Sequence, residues 1–498
     1  MSESAMTAVA EPSRGTAPPA DPHHARRWPI LVVISLAQLM VVLDATIVNI
    51  ALPTAQHELG FSPDDRQWVV TAYALAFGSL LLLGGRVADL FGRKRAFLIG
   101  LAGFAAASAV GGAANGLEML VIARAAQGVF GALLAPATLS LLTTTFTDAK
   151  ERGRAFGIFG AIAGGGAAVG LLLGGVLTQY LDWRWCMFVN IIFAVLALLG
   201  GLALLHHRRS AHRPKLDIPG TLTASAGLFA VVYGFSNAET HDWSATSVWG
   251  FLAAGAVLLA VFVALETRVP HPLLPLRVVL DRNRGGAYLA VFMLGIGMFG
   301  IFLFLTYYLQ QNLGFSPIRS GLAFLPMVGT LMVSATAATS VLLPRFGPKP
   351  LVALGMLIAA AGLWWLSGLG VGSTYANGVL FPLMVTGIGI GLSMAPSMNV
   401  ATSGVEAEDA GVASATVNTA QQIGGSIGTA MLSSVAANAA TSFIAGKQPT
   451  PALMVEAAVH SYTTAFTWGA AIFVIGAVLC GLLLKPGVPE LGEAAIHA

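Results

Sequence analysis

Leu59-Gly60-Phe61-Ser62-Pro63 returns as Leu313-Gly314-Phe315-Ser316-Pro317, and residue 313 less residue 59 gives an offset of 254. At the same offset Gly157 falls on Gly411, Gly170 on Gly424 and Gly174 on Gly428. With one residue of slip, Phe91-Gly92 falls on Phe346-Gly347. A shared pentapeptide followed by shared glycines in the same order marks an internal repeat. The chain is two copies of one unit, pointing the same way.

Hydropathy says what the unit is. Hydrophobic types make up 56% of the 498 residues, charged types only 10%, and mean hydropathy is +0.77. A soluble domain is about a quarter charged, so the solvent here is lipid. Disordered, collagen-like, coiled-coil and DNA-binding classes are excluded by the same composition. About 20 apolar residues cross a bilayer as a helix. Runs of that length fall near 29–51, 67–85, 96–115, 117–141, 154–178 and 186–205, then near 218–236 and 246–265. Six more fall near 286–310, 318–342, 351–371, 377–399, 411–437 and 462–484. The expected fold is an all-α integral membrane protein of fourteen transmembrane helices. The runs are too long for barrel strands and lack their period-2 alternation.

The repeat divides these helices into a polar tail (1–27), a six-helix bundle (28–205), an inserted two-helix hairpin with basic flanks (206–285), a second bundle (286–484) and a short tail (485–498). The prolines and polar residues of 1–27 predict disorder. Lys and Arg set the orientation. With the N-terminus inside, the cytoplasmic segments carry 21 of the 26 cations. The outer connections carry Arg66, Arg184, Arg319 and Lys447, and Arg124 sits inside a span. Both termini are therefore expected in the cytoplasm, in a cell (inner or plasma) membrane. Parallel six-helix repeats place a substrate path at their interface.

Charged residues inside the spans are few. Asp44 lies in the first helix, where a carboxylate costs about 2.5–3.5 kcal/mol on insertion scales. Such a group faces a cavity or a partner. Burial disfavours its charge and a nearby cation favours it, so it responds to protons; a purely structural ion pair is the alternative. Arg124 lies at a comparable depth in the fourth helix, so the two can pair. Gln127, Gly128 and Gly131 share its helical face. Gly166, Gly170 and Gly174, with Gly175 beside them, form a smooth ridge on the fifth helix for close approach of another helix. The loop Gly85-Arg86-Val87-Ala88-Asp89-Leu90-Phe91-Gly92-Arg93-Lys94-Arg95 joins the second and third helices; by itself it reads as a topological anchor. Tyr73, Gln127, Tyr307, Tyr308, Gln311, Asn399, Asn418 and Gln421, with Met394, are candidates to line an adaptable cavity; each also reads as packing. Cys186 and Cys480 read as core residues.

None of the six lysines precedes Ser or Thr, which removes a Walker A loop, and His-Glu-Xaa-Xaa-His is absent. No cofactor, metal, nucleotide or nucleic acid is expected, and the chain does not read as an enzyme.

These residues resemble the major facilitator superfamily. Gly85–Arg95 matches its signature between helices two and three. Leu120-Xaa-Xaa-Xaa-Arg124-Xaa-Xaa-Gln127-Gly128 resembles the fourth-helix motif of its drug:proton antiporters. Asp44-Ala45-Thr46-Ile47-Val48-Asn49-Ile50-Ala51-Leu52-Pro53 looks like the first-helix motif of the fourteen-helix branch. Leu171 stands where the fifth-helix motif of antiporters has proline. The resemblance implies multidrug or antibiotic efflux by alternating access, driven by proton entry. It implies proton coupling through Asp44 and Arg124, and a conformational switch in Gly85, Asp89, Gly92 and Arg93. The partners are then protons, an amphipathic small molecule and the bilayer. A proton-coupled uptake symporter of the same fold, or a non-cycling receptor or lipid-handling protein, is the alternative; the Asp44–Pro53 motif favours efflux.

Overall fold

The computed structural model describes residues 26–62, 65–146, 149–205, 217–240, 243–270, 272–405, 410–448 and 450–487. The tail before residue 26 and the last residues after 487 lie outside it, as does the side chain of Asp89. Among the described residues fourteen long helices form: α1 Arg27–Leu59, α2 Gln67–Phe91, α3 Arg93–Gly112, α4 Leu117–Thr145, α5 Ala149–Tyr180, α6 Trp185–Leu204, α7 Ile218–Thr240 and α8 Thr246–Glu266. The second half adds α9 Arg282–Tyr307, α10 Pro317–Ala337, α11 Pro348–Leu366, α12 Phe381–Thr402, α13 Ala410–Ile444 and α14 Pro451–Leu483. Twelve are long and apolar enough to span a membrane over their described residues; α2 and α5 contribute shorter apolar stretches, Gln67–Leu81 and Ala168–Tyr180. The chain is a multi-pass membrane protein.

Several helices outrun their apolar cores. α14 starts at Pro451, well before residue 462, because Thr450 accepts the Leu453 amide at 3.2 Å and Pro451 fits the first helical turn. Glu456 and His460 interrupt the hydropathy there without interrupting the backbone. α1 continues past Pro53 to Leu59, where Gly60 turns left-handed at φ 70°. Gly314, the matching glycine of the second copy, turns left-handed in the same way at φ 64°. The slipped pair also agrees: Gly92 has φ 94° and Gly347 φ 73°.

The two glycine ridges pack alike. Ideal Cβ atoms on Gly170 and Gly174 would stand 3.1 Å from the Leu43 carbonyl and 2.9 Å from the Ile47 carbonyl, so α5 lies backbone-close on α1. Gly424 and Gly428 bring α13 onto Phe292 and Ile296 of α9 in the same way. α1 and α9 are the central helices: 67% and 72% of their most apolar windows are buried, against 17% for α8. The exposed leucines, valines and tryptophans of α6, α8 and α14 form the lipid face.

One end of the molecule carries the starts of α1, α5 and α9 and the end of α14, joined by Arg27 to Glu151 at 2.6 Å and by Arg282 to the Leu483 carbonyl at 2.7 Å. This is the terminal face. Hydrogen bonds between the halves gather at the opposite, distal face. Tyr307 donates to Gln56 at 2.6 Å, Gln310 to the Ile50 carbonyl at 3.1 Å, and the Ile318 amide to Gln179 at 3.4 Å. The larger apolar core also bridges the halves there, running from Ile47, Leu52 and Trp183 to Tyr307, Leu309 and Phe324. A second core, around Ile30, Phe97, Phe104 and Phe146, belongs to the first half.

Candidate functional site

Five helices of the first half converge on Asp44. Arg124 Nη1 on α4 donates to Asp44 Oδ2 at 2.6 Å. Gln127 Nε2, one turn along α4, donates to Asp44 Oδ1 at 3.0 Å and to Ser108 Oγ on α3 at 2.7 Å. Asn190 Nδ2 on α6 donates to Asp44 Oδ1 at 2.7 Å. Arg124 is held in turn by the Val69 carbonyl on α2 at 3.0 Å and by Gln127 Oε1 at 2.9 Å, and its guanidinium lies 4.4 Å from the Tyr73 ring centre. Asp44, Gln127, Ser108 and Asn190 are 0% exposed and Arg124 is 1%. A buried ion pair holds only when its remaining donors and acceptors are met, and here nearly all are. Asn190 Oδ1 and Tyr73 Oη are left without partners.

The local sequence explains the convergence. Cβ atoms on Gly128 and Gly131 would stand 2.5 Å from the Tyr73 carbonyl and 2.8 Å from the Phe77 ring. Their absence lets α4 lie against α2, which delivers Arg124 to Val69 and Tyr73. The glycine ridge of α5 holds α1 from the other side; Gly170 sits against Thr46, two residues from Asp44. Gly175 reaches beyond the first half, and its Cβ would stand 2.6 Å from Ile318 Cα. Leu171 is 0% exposed, and its carbonyl lies 2.5 Å from where Gly321 would carry Cβ. At the repeat offset Asp44 falls on Met298 and Arg124 on Gly378, so the second half holds no copy of this pair.

The expected Asp44–Arg124 pair is thus present, with Gln127 inside it rather than in a cavity. Asn190 and Ser108 were not foreseen; the one signal for Asn190 is an amide alone in an apolar span. The other cavity candidates do not share one place. Tyr307 joins the halves at the distal face, whereas the Tyr308 hydroxyl turns to the Gly370 carbonyl at 2.9 Å within the second half. Gln311 accepts from Tyr462 at 3.2 Å. Asn399 is exposed near the end of α12, Met394 is half-buried one turn before it, and Asn418 binds the Ser414 carbonyl at 3.0 Å. Gln421 is half-buried on α13.

The expected loop Gly85–Arg95 is helical except at Gly92, since α2 runs to Phe91 and α3 opens at Arg93. Arg86 donates to the Pro272 carbonyl at 2.6 Å, and Lys94 reaches the carbonyl of Leu205. An ideal Cβ on Gly85 would stand 3.6 Å from Pro136 Cβ, an ordinary contact, and Arg93 opens α3. At the distal face Arg184 pairs with Glu58, whose carboxylate holds the guanidinium above its usual pKa.

The profile of the Major Facilitator Superfamily matches residues 34–429. The puromycin resistance protein pur8 of Streptomyces alboniger is 48% identical over 476 residues, covering 95% of this chain and 94% of that one. The cephamycin export protein CmcT of Amycolatopsis lactamdurans is 38% identical over 467 residues, covering 93% of each. Among solved structures, a bacterial homologue of the human lysosomal transporter Spinster superposes with a TM-score of 0.65 at 16% identity, over 93% of this chain and 97% of that one. A D-xylose–proton symporter gives 0.63 at 16% identity, over 92% and 98%. With this fold and these relatives, the chain belongs to the Major Facilitator Superfamily, among its drug-efflux transporters.

Proposed function

We propose that the protein exports an amphipathic organic molecule, of the antibiotic kind its relatives' names describe, in exchange for protons and by alternating access, with both termini in the cytoplasm. The observation that carries proton coupling is the closed network around Asp44. Its carboxylate accepts from Arg124, Gln127 and Asn190, all buried together. A proton arriving on Oδ2 takes the place that Arg124 occupies. The released guanidinium keeps the Val69 carbonyl, Gln127 Oε1 and the Tyr73 ring as partners, so α1 and α4 gain a second arrangement without stranding a bare cation. A proton and a substrate that prefer different arrangements then exchange across the membrane, each by its differential affinity. Asp89 and Arg93 belong to the switch loop in this scheme, and the glycine ridge of α5 is the surface on which α1 shifts.

The test is flux in liposomes with a trapped pH dye and an imposed gradient, with cationic dyes and antibiotics added one at a time. Proton movement that depends on the added compound, and that Asp44→Asn abolishes, supports the proposal. Binding of a compound with no proton movement sinks it and favours a receptor.

A further inference from the structure

We propose that Asp217 and Glu266 form a proton site separate from Asp44. One proton is shared between these two buried carboxyls at the foot of the inserted hairpin, and its loss unfastens the segment that leads from the hairpin to the second half. The proposal goes beyond the export reading above and does not rest on it.

The carboxyls meet at the terminal face, where α7 begins and α8 ends. Asp217 and Glu266 are each 5% exposed. An ideal Cβ on Gly220 would stand 2.1 Å from Asp217 Oδ2 and 2.8 Å from Glu266 Oε1. The two oxygens are therefore less than about 5 Å apart, in the range where one carboxylate opposes ionisation of the other. Any side chain at Gly220 would fill the space between them. Phe262, Leu273 and Leu274 pack with Ala224 in an apolar cluster beside the pair.

Hydrogen bonds account for three of the four oxygens. Asp217 Oδ1 accepts the Gly220 amide at 2.9 Å, and Glu266 Oε1 and Oε2 accept the Leu273 and Leu274 amides at 3.3 and 2.9 Å. Asp217 Oδ2 has no donor. A buried polar atom without a partner needs a reason, and a neighbouring carboxylate oxygen can donate nothing. A proton on one of the two turns the contact into an O–H···O⁻ hydrogen bond, a strong kind, and leaves one buried charge in place of two.

No cation offsets a second charge. Among the described residues no Lys, Arg or His forms an ion pair with either carboxyl. Arg86, from α2, donates to the Pro272 carbonyl instead. Arg268 and Arg277, in the segment after α8, are exposed. α8 has no other titratable residue, α7 has none in its terminal half, and α13, which also packs on α7, has none at all.

The pair fastens a strap. Residues 267–281, described except at 271, lead from α8 to α9. Glu266 holds the strap by two amides, and Arg86 of the first half holds Pro272 at 2.6 Å. Arg284 holds the Arg277 and Val278 carbonyls at 3.0 Å and reaches the Gly404 carbonyl, just beyond α12, at 3.1 Å. With the proton gone, the two like charges draw apart into water and Glu266 releases the amides. The closed foot binds a proton that the open foot gives up, so rising pH favours the open foot.

The test is hydrogen exchange of the strap amides, read by mass spectrometry on the intact protein in nanodiscs from about pH 6 to about pH 9. The connection 367–374 has no titratable side chain and is the reference that cancels the intrinsic pH dependence of exchange. The expected result is strap protection that falls relative to the reference, by up to about tenfold per pH unit past the midpoint. Asp217→Asn places an N–H where the proton sits and keeps the shape, so its strap stays protected throughout. Infrared spectroscopy gives an independent readout: a carboxylic-acid C=O stretch at neutral pH that Asp217→Asn and Glu266→Gln each remove. If Asp217→Asn does not insert, the band in Glu266→Gln decides. Constant protection in the wild type, a fall that persists in Asp217→Asn, or an acid band unchanged in either variant overturns the proposal. Neither measurement involves substrate or flux, so the proposal and the antiport reading fail separately.

Discussion

An alanine at Gly170 would place its methyl carbon 2.0 Å from Thr46 Oγ1 and 3.1 Å from the Leu43 carbonyl, where 3.4–4 Å is ordinary contact. Two responses are open. Thr46 can turn, giving up its bonds to the Val42 and Leu43 carbonyls at 3.3 and 3.1 Å, a loss of about 0.5–1.5 kcal/mol. Or α5 can retreat by the shortfall of roughly 1.4 Å, which overpacking data put at about 1–3 kcal/mol. Either response disturbs the α1–α5 contact two residues from Asp44, whose bond to Arg124 is 2.6 Å long. A displacement of about 1 Å at a reacting group is worth up to a hundredfold in rate. Gly170→Ala is therefore expected to insert normally and to lose about tenfold or more in initial export rate, measured in inverted vesicles and normalised to inserted protein. Thr46→Ala alone stays near wild type. The double variant recovers most of the loss, with a coupling of about 1–3 kcal/mol in the cycle. A wild-type rate in Gly170→Ala, or a double variant no better than the single, refutes the close-packed ridge as the positioner of Asp44.

Asn190→Leu removes one charge-assisted bond to the buried Asp44 carboxylate, worth about 1.5–3 kcal/mol; the unfolding midpoint of the inserted protein should fall, and export should slow with it. Gly92→Val and Gly347→Val force a β-branched residue into φ 94° and 73°. Each should lose about 1–3 kcal/mol, read as a lowered unfolding midpoint, and alanine there should be milder than valine. Arg184→Gln breaks an ion pair whose side chains are 26% and 44% exposed. It should alter stability by no more than about 1 kcal/mol in denaturation, and the change should shrink further in high salt.

The fourteen helices are legible because each needs about 20 apolar residues and the sequence supplies little else. The Asp44–Arg124 pair is legible for the complementary reason, since charge within a span is rare enough that two such groups at one depth find each other. Asn190 and Ser108 carry no such mark. A single amide or hydroxyl in an apolar helix looks the same whether it meets a carboxylate or its own backbone, and only the approach of α3 and α6 to α1 decides. Tyr307 and Tyr308 show a second limit. They are neighbours in sequence, yet one joins the halves and the other turns into its own bundle, because successive helical residues point about 100° apart and only the packing decides which direction meets the other half.

Asp44 is the residue at the centre of the proposed mechanism, and substrate-driven proton movement in Asp44→Asn liposomes tests it most directly. Asparagine keeps the shape and the bonds from Gln127 and Asn190 but cannot carry a proton in exchange for substrate. The expected result is a correctly inserted protein that still binds substrate and moves no protons in response to it. Proton-driven efflux at the wild-type rate would remove Asp44, and the network built around it, from the mechanism.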